Sequence, residues 1–167
     1  WWEFHYNEDD AQGGESLDVV TANEIVIPLG KNTVFNLQSN NVIHSFWVPQ
    51  LAGKMDLIPG HVNKLSITPT ETGEFYGECA EYCGGPHALM GFAVVAHPPE
   101  VFERWRLARL AAPPPAGGRG AELFQSSGCA ACHTVRGTAA NCIAGPDLTH
   151  VGARRTVRRP QAGRSTP

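Results

Sequence analysis

No uninterrupted apolar run approaches 20 residues in this 167-residue sequence, and mean hydropathy is −0.21, so it has no room for a transmembrane helix. Methionine is scarce, at two residues, and charged residues reach only 17%. Against 42% hydrophobic residues, that low charge excludes a disordered chain. Basic charge is scarce in residues 1–97, which carry 12 acidic and 3 basic side chains. A net of −9 there argues against nucleic acid and would steer a basic protein partner instead. Residues 98–167 reverse the balance with 4 acidic and 10 basic side chains, a net of +6. Five of these, Arg154, Arg155, Arg158, Arg159 and Arg164, crowd the last fourteen positions. Without interleaved aromatics they read as a solvated end. What is plentiful is 18 Gly and 13 Pro, the mark of turn-rich globular material. The length suits one ordinary domain, or a small domain with a fragment of another. The sequence opens on Trp1-Trp2-Glu3 with neither an initiator Met nor a leader, and is expected to be incomplete at both ends.

Short β-branched runs split by turn residues predict strands over 17–21, 24–28, 33–38, 42–48, 64–68, 74–78 and 92–96. Strands of this length and spacing predict a mainly β fold, an antiparallel sandwich or barrel. Pro98-Pro99 can open a helix over 100–110, with Val101, Trp105 and Ala108 forming an apolar face able to lie on the barrel. The reading therefore divides the chain into a β domain with trailing helix over 1–112, a Pro/Gly linker over 113–118, and a last segment over 119–167. That segment begins with a short helix near 120–125.

The dense chemistry lies in Cys79-Ala80-Glu81-Tyr82-Cys83-Gly84-Gly85-Pro86-His87-Ala88-Leu89-Met90. Two thiols, an imidazole and a thioether within twelve residues form a soft donor set that favours copper over magnesium or calcium. His44, opening the apolar run His44-Ser45-Phe46, can supply a second imidazole. A mononuclear blue-copper site needs one Cys, two His and a weak Met. The second Cys changes the reading, because two thiolates can bridge two coppers and leave one His for each. A local Cys79–Cys83 disulfide is the plain alternative in an exported domain. A structural zinc site would use Cys and His but has little use for a thioether. His5, His61, His97 and His150 read as ordinary histidines.

A second motif, Cys129-Ala130-Ala131-Cys132-His133, is the C-x-x-C-H signature of covalent haem c attachment, with thioether bonds from the cysteines and an axial imidazole from His133. Its alternatives are a redox C-x-x-C or half a zinc site. Both methionines, Met55 and Met90, precede Cys129, and the chain after Gly152 shows no apolar periodicity. The haem segment is thus expected to be partial and loosely packed. Cys142 belongs to neither motif and reads as unpaired.

Trp1-Trp2-Glu3-Phe4-His5-Tyr6, His44-Ser45-Phe46-Trp47-Val48-Pro49, Met55-Asp56-Leu57-Ile58-Pro59-Gly60, the cysteine cluster and Val101-Phe102-Glu103-Arg104-Trp105 follow one another as in subunit 2 of haem–copper cytochrome c oxidases. The resemblance covers roughly residues 1–106. It implies a cupredoxin-like Greek-key barrel holding a dinuclear copper centre (CuA), with His44 and His87 as terminal ligands and Cys79 and Cys83 as bridges. Met90 and the Glu81 carbonyl complete the two coordination spheres. The Glu81 side chain faces a magnesium ion at the junction with the catalytic subunit, and Trp1 and Trp2 match the aromatic segment through which electrons arrive. Gly145-Pro146-Asp147-Leu148-Thr149-His150-Val151-Gly152 resembles the loop after the haem motif in caa-type oxidases, where a cytochrome c domain is fused to this subunit.

The function so implied is to accept electrons from cytochrome c, fused or soluble, and pass them to oxidase subunit 1. The location implied is the periplasmic or outer face of the bacterial membrane, with anchoring helices ahead of Trp1. Two other classes stand beside it. A nitrous oxide reductase shares the copper motif but carries a large propeller before it. A non-redox extracellular module would use the cysteines as a disulfide or zinc staple.

Overall fold

The computed structural model describes residues 1–6, 19–111, 113 and 117–154. The start of the first expected strand, residues 114–116 of the Pro/Gly linker and the basic tail from 155 lie outside the described residues. Nine strands are present among them: β1 (Glu3–Tyr6), β2 (Val19–Ala22), β3 (Glu24–Pro28), β4 (Thr33–Leu37), β5 (His44–Trp47), β6 (Met55–Leu57), β7 (Asn63–Ile67), β8 (Gly73–Cys79) and β9 (Phe92–His97). Helix α1 spans Pro99–Leu110 and α2 spans Gly118–Ser126. Short 3₁₀ turns occupy His87–Leu89, Cys129–Ala131 and Val151–Ala153. The architecture is mainly β, as the strand spacing predicts, and cupredoxin-like, as the family resemblance implies. The described residues divide into two units, Trp2 with Asn23–Glu103, and Trp1 with those described in 3–22 and 104–154.

In the first unit, one sheet runs β3-β9-β8-β5-β6 and a second pairs β4 with β7. β3 lies parallel to β9, and every other pairing is antiparallel. Alternation explains the outer strands: Phe35 and Leu37 of β4 are buried, while Val34 and Asn36 are exposed. Five of the six residues of β9 are buried, as its place between β3 and β8 requires, and its Phe-Ala-Val-Val-Ala run supplies the apolar content. The rings of Phe35 and Phe46 meet at 5.3 Å and those of Phe46 and Phe92 at 4.7 Å, so the two sheets share one core. Phe46 and Phe92 are wholly buried, and each contributes about 1.5–3 kcal/mol by leaving water. The pairing Phe46↔Cys79 between β5 and β8 has a functional consequence. It brings His44, at the start of β5, to the sheet end where β8 delivers Cys79.

In the second unit, β1 and β2 form an antiparallel pair, and the Tyr6 ring packs on Trp105 at 5.1 Å. The apolar face that spacing predicts for α1 does not form as a buried stripe. Val101 and Trp105 are half-buried, but Ala108 and Leu107 are exposed, and no α1 residue is fully buried. The half-buried stripe instead includes Arg106 and Arg109. The Arg109 guanidinium covers the Trp105 ring at 5.3 Å, doing with a cation what an apolar side chain would otherwise do.

The carbonyl of Arg109, near the end of α1, accepts hydrogen bonds from the Arg136 guanidinium (2.8 Å) and His150 Nε2–H (3.1 Å). Both donors occupy acceptor sites that a helix end leaves open. Among the described residues from 119 onward, Ala140 is the only buried hydrophobic, so hydrogen bonds hold this segment more than a core does. Burial, reinforced by the positive charges of Arg109 and Arg136, holds the His150 pKa below its ordinary value, against the opposing pull of the Arg109 carbonyl and Asp147. The folded chain therefore favours neutral His150. The unfolded chain takes up the proton first, near pH 6.5, so stability falls as pH drops through and below that value. His150→Gln should flatten this part of the pH dependence of thermal unfolding, and equal slopes in the two proteins would refute the assignment.

Candidate metal centre

The sulfur-bearing loop leaves β8 at Cys79 and rejoins the sheet at Phe92. Its turn at His87–Leu89 is closed by the amides of His87, Leu89 and Met90 donating to the carbonyls of Gly84, Pro86 and His87. Gly84 has a φ of 114°, which an L side chain rarely adopts, and the turn needs glycine there. The result folds Cys83, His87 and Met90 onto one another. Cys83 Sγ lies 3.6 Å from His87 Nδ1 and 3.4 Å from Met90 Sδ.

Cys79 belongs to a second group. Its Sγ lies 3.9 Å from His44 Nδ1 and 3.1 Å from the Glu81 carbonyl oxygen. The two sulfurs are 3.8 Å apart and unbonded, and both cysteines are free. His44, Cys79 and Cys83 bring their donor atoms within 4.8 Å of one another. All six expected donors therefore converge in two groups of three, joined through the thiol pair.

This arrangement fits a metal. Bonds of about 2.0–2.3 Å, such as imidazole and thiolate make to an ion of zinc's size, put tetrahedral ligands about 3.3–3.8 Å apart. The Cys83–His87 separation of 3.6 Å and the sulfur–sulfur separation of 3.8 Å fall within that spacing, and the Cys79–His44 separation of 3.9 Å lies just beyond it. Each histidine keeps Nδ1 toward sulfur. In His44 the other nitrogen, as Nε2–H, donates to Asn41 Oδ1 at 3.0 Å, fixing both tautomer and ring plane. Burial, the largest cause, lowers the His44 pKa and keeps the ring neutral and able to ligate. Burial and the neighbouring Cys79 raise the Cys83 pKa.

Around the donors lies an open cleft of about 660 Å³ lined by Trp47, Lys54, Glu78, His87 and Met90. Glu81 is exposed. Trp1 and Trp2 separate sharply, Trp1 being 49% exposed and Trp2 only 6%. Trp2 packs against His44 at 6.2 Å, and its Nε1–H donates to the Met90 carbonyl at 2.8 Å. Sequence reasoning missed that contact and the Asn41 bond, since neither leaves a spacing pattern.

The C-x-x-C-H segment forms the turn at Cys129–Ala131, with the His133 amide donating to the Cys129 carbonyl. His133 Nδ1–H donates to the Pro146 carbonyl at 2.8 Å, leaving Nε2 as the nitrogen free to meet an iron. Gly145 makes room for this. A Cβ there would lie 2.7 Å from His133 Cε1 and 2.8 Å from Nδ1. The residues thus suit an axial imidazole. His150, by contrast, spends its Nε2 on the Arg109 carbonyl.

A cupredoxin-like sheet whose end gathers two thiols, two imidazoles and a thioether defines a candidate soft-metal site, of the donor class that favours copper. The chain belongs to the cytochrome c oxidase subunit II family. The model of that subunit's periplasmic domain matches residues 3–97, and a cytochrome c model matches residues 118–166. It is 35% identical over 161 residues to cytochrome c oxidase subunit 2 of Alkalihalophilus pseudofirmus, covering 94% of this chain and 44% of that protein. It is 34% identical over 145 residues to the Bacillus subtilis protein of the same name, covering 81% of this chain and 38% of that one. The chain thus spans less than half the length of these relatives. The periplasmic domain of subunit II of cytochrome oxidase (CoxB) from Bradyrhizobium japonicum superposes with a TM-score of 0.51 at 35% identity, over 53% of this chain and 64% of that one. Neither the nitrous oxide reductase reading nor the stapled-module reading is favoured by these likenesses. No helix among the described residues is long and apolar enough to cross a membrane.

Proposed function

We propose that this chain is the electron-accepting part of a respiratory haem–copper oxidase. The observation that carries this is the pair of thiols 3.8 Å apart, each beside its own imidazole. His44, Cys79 and the Glu81 carbonyl would hold one copper, and Cys83, His87 and Met90 the other, with both sulfurs shared. A bridged copper pair spreads one electron over two ions, so that little rearranges when it gains or loses it. The protein's share is rigidity: β5 and β8 fix His44 and Cys79, and the closed turn fixes His87 and Met90. Cys129 and Cys132 would carry haem c covalently, with His133 as its axial ligand. The division into a copper domain over 1–112, a linker over 113–118 and a cytochrome c segment over 119–167 goes with this reading. So does a magnesium ion at the exposed Glu81, completed by ligands from another subunit.

Electrons would arrive from a cytochrome c, fused or soluble, and leave for the catalytic subunit 1, with the parent anchored at the outer face of the bacterial membrane. Of the two tryptophans, Trp1 is the one a docking donor can touch. The test is metal content and electron resonance of the copper-loaded chain. Two coppers sharing one delocalised electron support the reading, and a single copper or an electron localised on one nucleus refutes it.

The acidic N-terminal part of the sequence makes a further prediction. Its net charge of −9 over residues 1–97 should speed association with a basic donor, and the rate should fall as salt shortens screening to about 8–10 Å and below. A rate indifferent to ionic strength would point to apolar docking instead.

A further inference from the structure

The loop that carries Met90 is held from outside by two residues that no part of the motif includes. Trp2 Nε1–H donates to the Met90 carbonyl at 2.8 Å. Trp2 is itself fixed by a reciprocal pair with Asn23: the Trp2 amide donates to Asn23 Oδ1 and the Asn23 amide to the Trp2 carbonyl, each at 2.9 Å. Asn23 adopts a φ of 59°, the single described non-glycine residue with positive φ. Asn tolerates that conformation where most residues do not. Its carbonyl then accepts from the Ala93 amide at 2.9 Å. The segment from Met90 to Ala93 is therefore tied at both ends, by Trp2 at one and Asn23 at the other. The same indole lies 6.2 Å from the His44 ring and is wedged against Phe46 (5.7 Å) and Phe92 (5.0 Å). It is 6% exposed and cannot swing away.

We propose that Asn23 and Trp2 form a clamp that sets the position of Met90, and to a lesser degree of His44, and so tunes the metal centre. Trp2 is a positioning residue in this scheme and touches no metal. The inference rests on the copper reading above for its consequence, though not for its geometry. A thioether is a weak ligand, so its distance from a metal is governed by the backbone that carries it more than by the bond it makes. Axial-ligand distance in turn tunes reduction potential in copper sites. A hydrogen bond to the Met90 carbonyl is thus a lever on potential that leaves the thiol pair alone.

Three variants of the full chain separate the parts. Trp2→Phe removes the donor and part of the ring, and replacing Trp2 by benzothienylalanine keeps the ring shape and removes only the N–H. Asn23→Gly keeps the backbone conformation and loses Oδ1. In the metal-free chain, amide exchange at Gly91, Phe92 and Ala93 should accelerate in all three, by roughly threefold to tenfold for one hydrogen bond lost. After copper loading, each variant should still hold two coppers. The ratio of reduced to oxidised centre at a fixed solution potential should move by a similar factor, in one direction for all, with altered copper hyperfine couplings. A merely structural Trp2 would lower thermal stability without moving that ratio. Benzothienylalanine and Asn23→Gly proteins that fold and show wild-type exchange and wild-type potential overturn the clamp. A wild-type chain that takes up no copper sinks the dinuclear reading instead, while exchange in the metal-free chain still decides the clamp.

Discussion

Cys83→Ser should take the copper content from two per chain to one at most and erase the spectrum of a shared electron. Cys83 Sγ is the junction of the centre, 3.8 Å from the Cys79 sulfur, 3.6 Å from His87 Nδ1 and 3.4 Å from Met90 Sδ. A serine hydroxyl keeps the shape of the side chain but is a hard donor that stays protonated near neutral pH, and it cannot replace a soft bridging thiolate. The Cys79 group, with His44 and the Glu81 carbonyl, would survive and could hold a single ion. Stability of the metal-free fold should change little, since Cys83 is only half-buried and lies in the loop. Met90→Leu provides the contrast: it removes a weak ligand at the periphery, so both coppers should remain while the potential shifts. Metal analysis with electron resonance decides the matter. A Cys83→Ser protein that binds two coppers and still delocalises an electron would show that the sulfurs do not bridge.

How far the site was legible depends on whether its parts are close in sequence. Cys79, Cys83, His87 and Met90 sit within twelve residues, and their spacing alone announces soft-metal chemistry. His44 lies 35 residues before Cys79, so spacing alone shows it only as a histidine opening an apolar strand and its role as a ligand came from the family resemblance; the β5–β8 register is what brings it in. The Trp2 bond to Met90 and the Pro146 bond to His133 end on backbone carbonyls, which every residue possesses, so no pattern could reveal them.

The fold followed the same division. The run over 24–28 reads as a strand and is one, because Ile-Val-Ile between turn residues admits little else. β4, β5, β7, β8 and β9 lie within the predicted runs or extend one or two residues past them. β6 was missed because three residues, Met55–Leu57, carry no period, and pairing with β5 alone makes them a strand. β1 was missed similarly, its extended form depending on β2. In α1 the apolar spacing of Val101, Trp105 and Ala108 misled, because a guanidinium covers Trp105.

Gly77→Ala should destabilise the barrel by about 3 kcal/mol or more, the upper end of overpacking costs. Gly77 sits in β8 directly opposite Phe92 of β9, and the Phe92 ring lies across it where a side chain would stand. A Cβ at 77 would fall inside that ring's van der Waals envelope. The φ of Gly77 is not positive, so alanine suits the backbone, and reduced freedom of the unfolded chain would favour it by about 0.4–1 kcal/mol. Sterics wins because the ring has nowhere to go. Phe92 is wholly buried, with Trp2 5.0 Å away on one side and Phe46 4.7 Å on the other. Against a typical total stability of about 5–15 kcal/mol this is a large fraction, and at about 2–4 °C per kcal/mol for a chain of this size the unfolding midpoint should drop by about 6–12 °C. Displacing Phe92 also pushes on Trp2 and on the chain just after Met90, so copper uptake should suffer along with stability. Pairing the change with Phe92→Leu frees the space, and the double variant should lose less stability than the two single losses added together. An unfolding midpoint for Gly77→Ala within a degree or two of wild type would mean that the ring can tilt aside and that the Gly77–Phe92 contact does not organise the core beneath the metal centre.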